Sequence, residues 1–137
     1  MASCIFCRLI ADPAFESLYR DDDVVAFADR NPQAPVHVLV VPRRHVETIA
    51  ELDDDHLLGR IFAAAHRVAR EKGIAEGGYR LVLNQGPNAG QTVYHVHLHL
   101  LGYEVVWAAA GRPDSVFAVT PDRLLELSGG SAADLKA

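Results

Sequence analysis

Between Asp54 and Lys72 the apolar residues return every three or four positions. Leu57, Leu58, Ile61, Phe62, Ala65, Val68 and Ala69 fall on one face, the period of an amphipathic helix. Asp53 or Asp54 can accept from its first free amides, and Gly73 can close its last turn. A shorter stretch of the same period, with Ile5, Phe6, Leu9 and Ile10, predicts a helix from Cys4 to Ala11, stopped by Asp12-Pro13. Elsewhere the pattern is that of strands. Ser17 to Tyr19 and Val24 to Ala28 flank the acidic turn Asp21-Asp22-Asp23, which predicts a hairpin. Asn31 to Pro35 reads as a loop, because its prolines cannot serve a ladder. Val36 to Val41 is an apolar strand interrupted by His37 and closed by Pro42. Tyr79 to Leu83 is a strand, Asn84 to Gly90 a loop, and Val93 to Leu101 a strand with plain alternation. Further on, Ala108 to Asp114 reads as loop, Pro121 to Leu127 as a short helix and Ser128 onward as a frayed tail.

Strand–helix–strand alternations are few. The order predicts an α+β fold: an antiparallel sheet of about five strands, with a long helix and a short N-terminal helix on one face. No repeat is visible, and 137 residues suit one hydrophobic core. The expected division is a domain over residues 1–110 and a partly disordered C-terminal extension over 111–137.

The net charge of −5 argues against a nucleic-acid partner, which calls for basic stripes. A single nucleotide ligand is still allowed, since a few local donors can hold one phosphate. No segment has the ~20 apolar residues of a membrane span, and the start shows no secretory pattern. The two cysteines sit in one Cys4-x-x-Cys7 unit, too close together to staple a domain. A reducing, cytoplasmic location is the expectation.

The chemistry concentrates in His95-Val96-His97-Leu98-His99. Alternation puts the three histidines on one face and Val96, Leu98 and Leu100 on the other. The apolar face can seal a core; the imidazole face needs hydrogen-bond partners. Imidazole serves as metal ligand, acid–base catalyst or covalent nucleophile. Just upstream, Gly90-Gln91-Thr92 and Asn84-Gln85-Gly86 offer backbone amides and neutral side-chain donors suited to phosphate oxygens.

The run Gln91 to Leu101 resembles the signature of the histidine-triad superfamily. Asp29 to His45 is similar to the equivalent stretch of its Hint branch, and Cys4-Ile5-Phe6-Cys7 resembles the opening of bacterial Hint-like members. The likeness spans Cys4 to Gly102. It implies a nucleotidyl hydrolase of the purine nucleoside phosphoramidase type, acting on AMP-NH2 or AMP-lysine type compounds through a nucleotidyl-histidine. The resemblance makes His97 the nucleophile, sets His99 against phosphate oxygens and matches Thr92 to a hydroxyl residue near the leaving group; by their own chemistry His95, Gln91 and Thr92 can help to spread transition-state charge. His37 matches a fourth histidine that supports the triad. Asp29 matches a ribose-binding carboxylate, Asn84 a polar lining residue, and Phe6, Leu9 and Phe27 the walls of a base pocket; Gly90 is a nucleotide-binding candidate from its loop chemistry, since a glycine lets backbone amides approach an anion closely. Asp29 also reads as a turn-capping residue, and the three apolar residues as ordinary core.

Cys4-x-x-Cys7 is half of a tetrahedral zinc site, and His45 and His95 can complete it. In zinc-containing members of the superfamily these four positions are the ligands. A redox pair and two idle thiols remain open alternatives. With four protein ligands the zinc would be structural. Arg43-Arg44 reads as a solvated doublet, and His56 and His66 receive no role. The Hint branch continues after the triad with Gly-Gly and ends in Trp-Pro-Pro-Gly. This chain has Gly102-Tyr103-Glu104 and Trp107-Ala108-Ala109-Ala110, then a segment without counterpart. Gly86 to Thr92 also resembles the loop of Fhit-type dinucleoside polyphosphate hydrolases, so that substrate class is carried as an alternative. A nucleotide-binding regulatory protein with little catalysis is a further one. A homodimer is expected, from the apolar surface of Val36 to Val41 and of the long helix.

Overall fold

The computed structural model describes residues 3–103, 106–109 and 116–119. The N-terminal helix α1 covers Ile5–Ala11, with Cys4 at its cap. Strands β1 (Tyr19–Arg20) and β2 (Val24–Ala28) form the expected hairpin, with Tyr19 opposite Ala26. Strand β3 (Val36–Pro42), helix α2 (Asp55–Glu71), strand β4 (Arg80–Val82) and strand β5 (Leu98–Gly102) follow. Short 3-10 helices at Ile49–Glu51 and Pro87–Ala89 were not legible in the pattern. The sheet is antiparallel throughout and ordered β1-β2-β3-β5-β4.

Asp54 caps α2, its carboxylate accepting from the Leu57 amide at 3.0 Å. Gly73 follows the helix with a φ of +74°, the left-handed conformation that glycine adopts without strain. Leu57, Ile61, Ala64, Ala65, Val68 and Ala69 are buried against Val24, Ala26, Val38, Val40, Leu98 and Leu100. The alanines let the helix axis approach the sheet closely. Phe62, expected on the buried face, is 41% exposed at the edge of the stripe.

The helices do not share one face of the sheet. The opposite face, with Val25, Phe27, Leu39 and Val41, packs against Phe6 of α1 together with Leu9, Ile10 and Phe15. The reason lies in the strands themselves. Val24 to Phe27 and His37 to Pro42 are buried on both faces, and a sheet that is apolar on both sides needs two covers.

The histidine strand is shorter than the alternation predicted. Only Leu98 to Gly102 pairs with neighbours, Leu98 standing opposite Val40 and His99 opposite Leu39. Pro42, which has no N–H to offer, ends β3. The extended segment before Leu98 is held by other bonds, among them Val96 N–H to Val46 O at 2.8 Å. The facing still follows the alternation: Val96, Leu98 and Leu100 lie in the helix-side core.

The chain divides into two compact units, Met1–Gly102 and Tyr103–Ala137. The second contains an antiparallel pair, β6 (Val106–Ala109) and β7 (Val116–Val119). Ala108 and Ala109, expected in a loop, are therefore strand residues. The helix expected at Pro121 to Leu127 and the tail from Ser128 lie outside the described residues.

Candidate active site

On the α1 side of the sheet, between α1 and strands β2, β3 and β5, lies a cavity of about 420 Å³. Its walls include Phe6, Leu9, Phe27, Asp29, His37, Thr92, His97 and His99. Each is there for a local reason. Phe27, His37, Leu39 and His99 alternate onto this face of their strands, opposite the residues that meet α2. Phe6 and Leu9 stand three apart on α1. Phe6 meets Phe27 edge-on at 5.6 Å between ring centroids and His97 at 5.3 Å. These aromatic residues are thus both core and wall.

The three histidines of the run do not share one environment. His97 is 8% exposed and lines the cavity. Its Nδ1 is 2.7 Å from the His95 carbonyl oxygen. A carbonyl only accepts, so Nδ1 carries the proton and Nε2 has the free lone pair. Burial lowers the pKa of His97, favouring the neutral ring. His99 Nδ1 lies 2.9 Å from His37 Nε2. Burial, then the neighbouring His97 and His37 imidazoles, hold its pKa down to about 4.

His95 turns away from the cavity. It is fully buried, and its Nε2 donates to the Pro42 carbonyl at 2.7 Å. Its bare Nδ1 lies 3.4 Å from Cys4 Sγ and 3.6 Å from Cys7 Sγ, while His45 Nδ1 lies 3.3 Å from Cys7 Sγ. Burial lowers the His95 pKa and raises that of the Cys7 thiol. Cys4, Cys7, His45 and His95 thus converge, each offering one ligand atom within 4.8 Å of the others, and could hold a metal ion. The expected share of His95 in steadying phosphate has no geometric basis, because neither ring nitrogen faces the cavity.

Gln91 departs in a similar way. It is buried, its Oε1 accepts from Gly86 N–H at 2.9 Å, and its Nε2 donates to Glu47 O at 2.8 Å and Val93 O at 3.1 Å. Its amide is occupied within the protein, so it braces the loop that carries Thr92 instead of reaching a phosphate. Gly90 has a φ of +83°, and its N–H bonds Pro87 O at 3.1 Å. Gly90 and Asn84 do not line the cavity. Thr92 does, and is exposed.

Asp29 combines two readings. Its Oδ1 accepts from Asn31 N–H at 2.8 Å, as a turn-capping aspartate does, while Oδ2 lies 3.3 Å from His37 Nε2. The pattern alone missed Phe15, Leu39 and Gln33, all of which line the cavity. Leu39 was within reach, since it is two positions from His37 on the same strand. Arg43 and Arg44 do not line the cavity; Arg44 lies 3.8 Å from Asp54 at the surface. His56 stands 3.9 Å from Asp23, and His66 Nδ1 2.7 Å from the Tyr79 hydroxyl. Among the described residues no helix is long and apolar enough to cross a membrane.

Known proteins resemble the chain over this same region. The family model of the HIT domain matches residues 14–105. The purine nucleoside phosphoramidase of Escherichia coli (strain K12) is 46% identical over 101 residues, which are 72% of this chain and 85% of that protein. A HIT family hydrolase from Clostridium thermocellum has a TM-score of 0.70 at 42% identity, covering 83% of this chain and 97% of its own. One from Legionella pneumophila Philadelphia 1 has a TM-score of 0.68 at 40% identity, covering 82% and 96%.

Proposed function

The chain belongs to the HIT family, and from that premise we propose that it is a hydrolase of purine nucleoside 5′-phosphoramidates, with His97 as the nucleophile. The observation that carries this reading is the bare Nε2 of a buried, neutral His97 at the wall of an apolar-sided cavity. In this mechanism Nε2 attacks the α-phosphorus, the P–N bond to the amine breaks, and the amine nitrogen keeps the electron pair and takes a proton from solvent as it leaves. Water then cleaves the P–Nε2 bond and releases the nucleoside monophosphate. Phe6, Leu9, Phe15 and Phe27 offer the base an apolar slot. The Asp29 carboxylate can accept from the ribose hydroxyls, and Thr92 and His99 supply neutral donors for the phosphate.

Zinc is the metal that Cys4, Cys7, His45 and His95 fit best. A tetrahedron with ligand bonds of ~2.3 Å to sulfur and ~2.0 Å to nitrogen has S···N edges of about 3.5 Å. Three of the four S···N separations here are 3.3, 3.4 and 3.6 Å, and all four ligand atoms lie within 4.8 Å of one another. Mixed thiolate and imidazole donors also suit this ion, and the His95 bond to Pro42 O is an outer-shell contact that orients a ligand ring. When bound, zinc would tie α1 to the sheet. It would have a structural role, since all four donors come from the protein.

A homodimer in the cytoplasm completes the proposal. Strand β3 is buried within the chain and offers a partner no surface. Phe62 of α2, 41% exposed, and the edge strand β4 favour the association instead. A kinetic panel tests the substrate class. An adenosine 5′-phosphoramidate should be turned over with a higher kcat/KM than a dinucleoside polyphosphate or a nucleotide sugar. Preference for the dinucleotide would move the chain to the Fhit-type reading. Nucleotide binding without turnover of any of the three would leave it a binding protein.

A further inference from the structure

A hydrogen-bond chain of fixed direction runs along the cavity wall. It begins at a donor that cannot reverse: the main-chain N–H of Gln33, 2.9 Å from His37 Nδ1. Because Nδ1 accepts, His37 is not doubly protonated, and its proton sits on Nε2. That Nε2 is 2.9 Å from His99 Nδ1 and 3.3 Å from Asp29 Oδ2. His99 Nδ1 therefore accepts, and the proton of the neutral His99 ring sits on Nε2. The His37 side chain is only 3% exposed, so solvent does not compete for these bonds.

We propose that the main-chain amide of Gln33, acting through His37, sets the tautomer of His99, so that His99 presents an N–H to the phosphate while His97 presents a lone pair. Gln33 and His37 are then positioning residues, and Asp29 steadies the His37 proton. Left to itself, a neutral imidazole would spend part of its time as the other tautomer, which turns a lone pair toward the phosphate oxygens and repels them. The same directionality bears on cations. Asp29, His37 and His99 bring three ligand atoms within 4.8 Å, a spacing a metal could bridge. A metal there would need the lone pair of His37 Nε2, which this chain of bonds replaces with a proton. The cluster is a hydrogen-bond relay and not a second metal centre.

The role of the donor rests on the proposed phosphoramidase reading. The tautomers do not, since they are measured without substrate, so the two fail separately. In protein labelled with 15N-histidine, NMR should report pyridine-type Nδ1 and pyrrole-type Nε2 for both His37 and His99, and the reverse for His97. Gln33→Ala should leave the His37 and His99 tautomers unchanged, because the donor is main chain. His37→Phe should give His99 a mixture of tautomers and lower kcat on the order of tenfold, about 1.4 kcal/mol of barrier, with little change in KM. His37→Gln, whose amide can still donate to His99 Nδ1, should restore the single tautomer and most of the rate. A proton on Nδ1 of either His37 or His99 in the wild type overturns the proposal. So does a single Nε2–H tautomer of His99 that survives in His37→Phe.

Discussion

His95 and His97 stand two positions apart on the same face of the chain, yet they belong to different chemistries. His95 donates from Nε2 to Pro42 O and turns a bare Nδ1 toward two sulfurs. His97 donates from Nδ1 to the His95 carbonyl and leaves Nε2 bare toward the cavity. Both are buried, and burial lowers the pKa of both, so charge does not separate them. What separates them is which carbonyl each ring meets. Pro42 ends β3, and its oxygen is free to take the His95 proton, while the His95 carbonyl takes that of His97. The comparison teaches that one residue type can build two adjacent sites when backbone acceptors choose the tautomer. It also joins the sites physically, because the His95 carbonyl of one cluster orients the His97 ring, the proposed nucleophile, of the other.

The sharpest way to break this contrast is to remove one histidine's nitrogen. His97→Ala should lower turnover by at least ~10³-fold, roughly 4 kcal/mol of barrier. Mononucleotide binding, followed by calorimetry, should persist, since the apolar walls and Asp29 remain. On the other side of the contrast, Cys4→Ser with Cys7→Ser should remove metal and act on stability first. A loss of about 2 kcal/mol would lower the melting temperature by about 10 °C. Elemental analysis and thermal scans with and without a chelator check this, and a chelator-resistant protein that contains no metal would refute it.

A smaller effect is the acid sensitivity of the cavity side. Burial, with the His97 and His37 rings against it, holds the His99 pKa from the usual 6.5 down to about 4, while Asp29 pulls the other way. As pH falls below 6.5 the unfolded chain takes up this proton first, while the folded protein waits until about 4. Stability should therefore decline across that window and level off below it. Urea midpoints across the window should show the slope, and His99→Leu should flatten it. The smallest effect is expected at the far end of the chain. Removing residues 128–137 should leave turnover within about threefold, below ~0.7 kcal/mol of barrier. A larger loss would show that this segment reaches the active site.

Much of this was legible because side-chain period survives folding. The long helix, the Asp21-Asp22-Asp23 hairpin and the facing of Val96, Leu98 and Leu100 all follow from it. Alternation reports which way side chains point, and not whether a neighbouring strand is there to pair. That is why His95 and His97 alternate as predicted but lie outside the ladder. The two-sided cover of the sheet could also have been read from Val24 to Phe27, an apolar run without alternation. Ring and amide orientation could not. Gln91 resembles a phosphate donor in the sequence, but the carbonyls of Glu47 and Val93 and the amide of Gly86 occupy its side chain. Those partners come from the tertiary fold, which neither spacing nor composition encodes.

The central claim is that His97, and not its neighbours, carries the nucleotide. Wild-type enzyme should be mixed with an adenosine phosphoramidate, stopped within the first turnover under alkaline denaturing conditions that preserve phosphorus–nitrogen bonds, and mapped by mass spectrometry. The account predicts an adenylyl group on His97, lost on mild acid treatment and absent from His97→Ala. An adduct on His95 or His99, or full turnover by His97→Ala, would contradict it.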